Sequence, residues 1–198
     1  MANSLLHGAC AAETPGSIFG QALASGPVVV AAVILHPRRP VEGLDDSKKL
    51  APARREALYP QILASAIAWR IEFVQVEEID SLNILQARLT GMRRALHALD
   101  PAATHARIDG NRLPTDLPCR AQAVVGGDGL EPAIMAASIL AKVARDRAMV
   151  ELHAHYPQYG FDQHKGYASP AHLAALREHG PCPHHRRSFS PVSQLALF

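Results

Sequence analysis

Val28 to Leu35 runs without a polar side chain between Gly26-Pro27 and the His36–Pro40 break. A continuous, β-branched-rich run of this length fits a strand buried on both faces. Trp69 to Val76 instead sets Trp69, Ile71 and Phe73 against Arg70 and Glu72, the alternation of a half-exposed strand. Two shorter apolar runs follow, one ending at Ile108-Asp109-Gly110, the other running from Ala121 to Val125 into Gly126-Gly127-Asp128. Helical spacing covers Arg54 to Ala66 through Leu58, Ile62 and Ala66, with Ser47 or Asp46 in the preceding loop as the expected cap. Glu77 to Leu99 carries Ile79, Leu82, Leu85, Leu89, Met92 and Leu96 on one stripe, which predicts a single long amphipathic helix. Pro132 to Leu152 opens on a proline tolerated at a helix start. Its Ala133, Ala137, Ala141, Ala144 and Ala148 form a small-residue stripe suited to lying close on a sheet. A short helix from Ser169 or Pro170 to Glu178 is stopped by Gly180. Residues 1–25 show no clean alternation and are expected to form an aberrant N-terminal segment, and 181–198 a loosely docked tail. The pattern predicts an α/β protein, a mixed sheet flanked by helices with a C-terminal helical segment.

Composition narrows this. At 198 residues and 48% hydrophobic, the chain can bury one good core, so a single domain over 1–198 is expected. No apolar run approaches the length of a membrane span, and residues 1–25 lack a secretory signal pattern. Cys10, Cys119 and Cys182 are odd in number and not closely paired, which points to a reducing, cytoplasmic setting. A zinc site from Cys182, His184, His185 and Cys119 lacks the usual paired-ligand spacing. Net charge is only +2, but sixteen of the twenty basic residues are arginine. Arginine suits forked contacts to phosphate. The pairs Arg54-Arg55 and Arg93-Arg94, on predicted helices, read as solvated surface.

The candidate chemistry lies between Arg107 and Arg147. A strand ending in Asp-Gly presents a carboxylate at the sheet edge, and ligand sites gather at such edges. If their strands are neighbours, Asp109 and Asp128 face each other and need a cation or a shared proton. Hard oxygen ligands suit Mg²⁺ or Mn²⁺. The alternatives are a plain turn at Asp109 and a capping box from Asp128 to Glu131. Lys48-Lys49 stands at a helix start, where the dipole disfavours cations, so an anionic partner explains the pair better than the fold does. Ser138, Lys142 and Arg145 share one helix face and can hold a phosphate, or Lys142 is simply exposed. Asn83 can reach a partner or face water. Tyr156 to Tyr167, with His164, Lys165 and Tyr167, interleaves aromatic and cationic side chains that can stack on sugars or bases. Packing of these aromatics on the core is the alternative.

The segments GPVVVAAVIL (26–35), GLDDSKKL (43–50), EIDSLNILQA (78–87), IDGNRLP (108–114), AASILAKVARD (136–146), YPQYGFDQHKGY (156–167) and HHRRSF (184–189) closely resemble bacterial ribonuclease HII, in order and spacing. The resemblance covers residues 26 to about 191. It implies a ribonuclease-H-like α/β sheet and an endonuclease that cuts 5′ to ribonucleotides embedded in DNA. It also implies two divalent metals, Mn²⁺ or Mg²⁺, an RNA/DNA hybrid as partner, and a monomer without membrane attachment. By resemblance, Asp109 and Asp128 are the two later carboxylates of a four-acid site, and Tyr167 packs against the ribose at the RNA–DNA junction. Lys48, Lys49, Ser138, Lys142, His164 and Lys165 match positions near the substrate backbone.

One departure matters. The family opens with Asp-Glu-Ala-Gly-Arg-Gly just before the Gly-Pro-Val strand. Counting back without gaps puts Ser17, Ile18, Phe19, Gly20, Gln21 and Ala22 there. Glu13 substitutes only if a loop is inserted. With two of four acids gone, severely impaired cleavage is expected, and a catalytically inactive hybrid binder is the alternative reading.

Overall fold

The computed structural model describes residues 6–12, 23–190 and 192–195. One mixed sheet organises them, in the strand order β3-β2-β1-β4-β5. The strands are β1 (His7–Ala12), β2 (Val28–Ile34), β3 (Ala68–Val74), β4 (His105–Asp109) and β5 (Arg120–Val124). β2 is buried along its whole length, as its unbroken apolar pattern predicts. It pairs antiparallel with β1 and β3, while β1, β4 and β5 run parallel. β3 is an edge strand, and its Trp69 and Phe73 remain exposed.

Helices cover both faces. α1 (Pro52–Ser65) and α4 (Pro132–His155) pack on one. There Leu58, Ile62 and Ile139 meet Ala9, Ala11, Val29, Ala31 and Val33. α2 (Val76–Leu82) and α3 (Ile84–His97) cover the other. On that side Ile79, Met92 and Leu96 meet Cys10, Val30, Ala32, Ile34 and Ile108. Alternate side chains of β1 and β2 therefore feed two different cores, as a strand's period of two requires. Three shorter helices follow, α5 (Phe161–His164), α6 (Pro170–His179) and α7 (Val192–Leu195). None of the described helices is long and apolar enough to cross a membrane.

α3 lies close on the sheet because Gly91 permits it. A Cβ there would stand 2.8 Å from Val30 Cγ2 and 2.9 Å from Val74 Cγ2. Gly91→Val is therefore expected to cost about 1–3 kcal/mol through overpacking, read as a lower thermal midpoint with unchanged far-ultraviolet circular dichroism.

Several expectations need correction. The helix predicted from Glu77 to Leu99 is two helices, broken at Asn83, whose φ is 70°. The Asn83 side chain caps α3 by accepting from the backbone N–H groups of Leu85 and Gln86. Neither Ser47 nor Asp46 caps α1: its N-cap is Ala51, with no side-chain bond. Asp128 does not cap α4 either, since Glu131 holds that place and the capping box is absent.

The N-terminal segment is not aberrant as a whole. His7–Ala12 forms the central strand, and its Ala9, Cys10 and Ala11 are small enough to be enclosed by the helices on both faces. Ser17 to Ala22 and Glu13 lie outside the described residues. The register nonetheless moves, because Cys10 pairs with Ile108, which puts position 11 level with Asp109. Residues 181–190 are not loosely docked. Cys182, His185 and Arg186 are buried, and Ser25 bridges to His185.

Candidate active site

β4 delivers Asp109 to the carboxyl end of the sheet, where its side chain is nearly buried. Asp128 sits in a single 3₁₀ turn, Gly127–Gly129, beyond the end of β5 rather than on it. Gly126 makes that turn possible, with φ 68°, a conformation costly for a residue with a Cβ. The turn brings the Gly127 N–H to within 3.1 Å of Asp109 Oδ1. Burial raises the Asp109 carboxyl above its ordinary range, and the charge of Asp128 pushes the same way; Arg88, the Gly127 bond and Lys48 oppose this. The two aspartates are therefore near enough for the charge of Asp128 to act on Asp109.

Lys48 reaches in from the loop before α1, its Nζ 3.2 Å from Asp128 Oδ2. The adjacent Ser47 is buried and shares a 2.7 Å hydrogen bond with Ser138 on α4. Arg55 holds this loop, donating to the Ser47 carbonyl at 2.8 Å, and approaches Asp146 at 3.8 Å. Asp146 also accepts from Lys142 Nζ at 2.8 Å. Lys142 and Arg145 then face the Tyr167 ring, at 5.9 Å and 6.0 Å from its centroid. Asp109, Asp128, Lys48, Ser138, Lys142 and Tyr167 are therefore linked through successive contacts.

The other predicted residues are placed differently. Lys49 is exposed beside Lys48. The Asn83 oxygen is taken up in capping. His164 has both ring nitrogens on backbone, Nε2 to the Tyr159 carbonyl at 2.6 Å and Nδ1 to the Gly166 N–H at 3.2 Å. Burial lowers its pKa. Lys165 donates to the Asp162 carbonyl. Within the loop, Tyr159 and Phe161 pack inward, which favours the core reading for those two aromatics.

Sequence reasoning missed the buried arginines. Arg55 is 8% exposed and cannot be solvated surface. Arg145 and Arg186 are fully enclosed, and Arg88 stands near enough to Asp109 for each charge to act on the other. The lysine-to-acid spacing of Lys142 and Asp146 (i, i+4) was the one available signal for that partner. Cys119 packs with a different core from Cys182, so the four-ligand zinc site does not assemble.

A pair of metals would require acidic donors beyond Asp109 and Asp128. Cys10 pairs with Ile108, so Ala11, one step on, lies level with Asp109 on the neighbouring strand. Ala11 offers a methyl group where a further carboxylate would be required. Among the described residues no group of three or more His, Cys, Asp or Glu could hold a metal ion. The described side chains therefore do not fit a two-metal site.

A ribonuclease HII family model matches residues 20–192. Ribonuclease HII of Xanthomonas campestris is 59% identical over 174 residues, 87% of this chain and 72% of that protein. The chain belongs to the ribonuclease HII family. Membership places it among RNA-cleaving endonucleases. The fold agrees. The crystal structure of ribonuclease H2 from Pyrococcus horikoshii superposes with a TM-score of 0.75 at 21% identity, covering 95% of this chain and 96% of that one. A Bst ribonuclease HIII structure in complex with Mn²⁺ gives 0.69 at 16% identity, covering 98% of this chain and 71% of that one.

Proposed function

We propose that this chain recognises RNA/DNA hybrid duplexes, including DNA with embedded ribonucleotides, and that its cleavage on the 5′ side of a ribonucleotide is severely impaired. The single observation carrying this reading is the split state of the site. The contact series from Lys48 through Ser47–Ser138 and Lys142 to Tyr167 is intact, while Ala11 stands where the first strand would supply an acid. Lys48, Lys49 and Lys142 bring positive charge towards the phosphates, and Tyr167 offers a ring to a sugar. Phosphate contacts of this kind fix position without reading sequence. Asp109 and Asp128 are the residues to which a Mn²⁺ or Mg²⁺ ion would be drawn, with Lys48 already balancing part of their charge.

The test uses two duplexes of one sequence, one all DNA and one carrying a single ribonucleotide, with Mn²⁺ or Mg²⁺ present. Preferential binding of the second duplex is expected, with affinity falling linearly in log salt. The nicking rate should lie roughly a thousandfold or more below that of the Xanthomonas relative under the same conditions. Full-rate nicking would refute impairment, and salt-independent binding would refute phosphate recognition. Lys142→Ala is expected to weaken binding to both duplexes alike and to lower the salt slope by about 1.

A further inference from the structure

Beneath Tyr167 two histidines face each other fully enclosed, His172 at 0% exposure and His185 at 1%. Their tautomers follow from their neighbours. The Cys182 N–H donates to His185 Nδ1 at 3.0 Å, so that nitrogen carries no proton and Nε2 does. His185 Nε2 lies 3.1 Å from His172 Nε2, which must then accept. This leaves the His172 proton on Nδ1, 2.8 Å from the Tyr167 carbonyl oxygen. One order of donors and acceptors satisfies all four ring nitrogens, and a reversed order leaves donor facing donor.

The far end of this series is the backbone of Tyr167. Its carbonyl accepts from His172 Nδ1 and from the Ser169 N–H at 2.8 Å, and its own N–H donates to the His164 carbonyl at 2.9 Å. Leu23 bridges to it from the strand-like segment before β2. The preceding Gly166, with φ 80°, would press a Cβ to 2.7 Å from the Ser25 carbonyl oxygen. Nothing in this arrangement belongs to the Asp109–Asp128 end of the site.

We infer that the His185–His172 pair is a positioning relay that fixes the Tyr167 backbone, and through it the ring that meets the ribose, so that ribonucleotide discrimination depends on this pair. The inference rests on the reading of Tyr167 given under the proposed function. Its surroundings keep the relay neutral. His164 stacks on His172 with centroids 4.4 Å apart, and Phe161 meets both rings edge-on or tilted. Cys182 Sγ lies 3.1 Å from His185 Nδ1, and the Tyr159 ring is 4.9 Å from the His185 ring. The charges that bear on the pair are those of neighbouring histidines, His164 and His184, and each would repel a proton. Asp162 and Lys165 act on His164 rather than on the pair.

Two measurements on the full chain test this. Long-range ¹H–¹⁵N spectra at pH 7.5 should show His172 protonated on Nδ1 and His185 on Nε2; the opposite tautomers would overturn the relay. Binding of the single-ribonucleotide duplex relative to its all-DNA counterpart is then compared for His172→Leu and His172→Asn. The leucine variant should lose about tenfold in that ratio, the equivalent of one hydrogen bond, with all-DNA affinity kept. The asparagine variant, whose amide can reach the Tyr167 carbonyl in place of Nδ1, should recover most of the loss. An unchanged ratio in His172→Leu overturns the inference. If the unmodified chain shows no ribonucleotide preference, the reading of Tyr167 fails. The relay is then decided by the Tyr167 ring resonances, which must shift in His172→Leu and return in His172→Asn.

Discussion

Ala11→Asp combined with Ala12→Glu is expected to give this chain Mn²⁺-dependent nicking 5′ to a ribonucleotide at least about a hundredfold faster than the unmodified protein. β1 and β4 run parallel, and Cys10 stands beside Ile108, so position 11 falls level with Asp109. Parallel neighbours at one level present their side chains to the same face. A carboxylate at 11 would thus stand beside Asp109, within reach of Asp128 on its turn. Ala11 is fully enclosed, so the added charge should destabilise the metal-free protein by a few kcal/mol. Mn²⁺ should restore that stability in the double variant and change the unmodified chain much less. This second readout separates a site that binds without turning over from one that does not form. If the variant folds, gains no Mn²⁺ stabilisation and does not nick, the absent acids are not the cause of impairment. The same pair placed at Ser17 and Ile18, where gapless counting points, is expected to do nothing, because position 11 already occupies the level of Asp109.

The second large effect is on stability against acid. Burial pushes His172 and His185 each down to about 4. Unfolded, each ring titrates near its ordinary value of about 6.5. Below that value the unfolded chain binds protons that the folded rings refuse, so stability rises with pH across this window. The contribution is complete above about 6.5 and is lost as pH falls towards about 4. One ring accounts for about 3 kcal/mol over the whole window and about 2 kcal/mol of it by pH 5. The two rings share a hydrogen bond, so one ring's worth is the smaller expected figure. Urea midpoints at pH 7.5 and pH 5 measure it, and a flat profile would contradict it. His172→Asn with His185→Gln should flatten the profile while lowering stability at pH 7.5.

How far the chain could be read depends on what each element shows to a pattern. β2 announced itself, since a short β-branched run between Gly26-Pro27 and the polar break after Leu35 suits a strand buried on both faces, as Val28 to Ile34 is. β1 did not, because His-Gly-Ala-Cys-Ala-Ala has neither alternation nor bulk, although two cores enclose it. The helix break at Asn83 was hidden by a hydrophobic stripe that continues in phase across it. Asp109 and Asp128 were legible as candidates from their Asp-Gly steps, but Val125 and Gly126, which separate β5 from the turn of Asp128, were not. Arg55, read as solvated surface, and Arg186, in the expected loose tail, misled in a consistent way. An arginine written in sequence looks like surface, and only the folded chain shows which ones spend their donors on carbonyls, as Arg186 does on Gly26 at 3.0 Å and Pro27 at 3.3 Å. The His172–His185 pair had no signal at all, since no spacing rule joins two residues thirteen apart across a turn.

The grip of Arg186 on Gly26 and Pro27 spans almost the whole length of the polypeptide. Ribosomes make residue 26 long before residue 186, so the segment leading into β2 must wait, tethered but unlatched, until translation has nearly finished. Closure of so long a loop is entropically slow, and during that interval β2 has its apolar faces formed before its latch arrives. Nascent chains stalled before residue 184 should consequently be protease-sensitive around residues 23–27, and chains released past residue 190 should not.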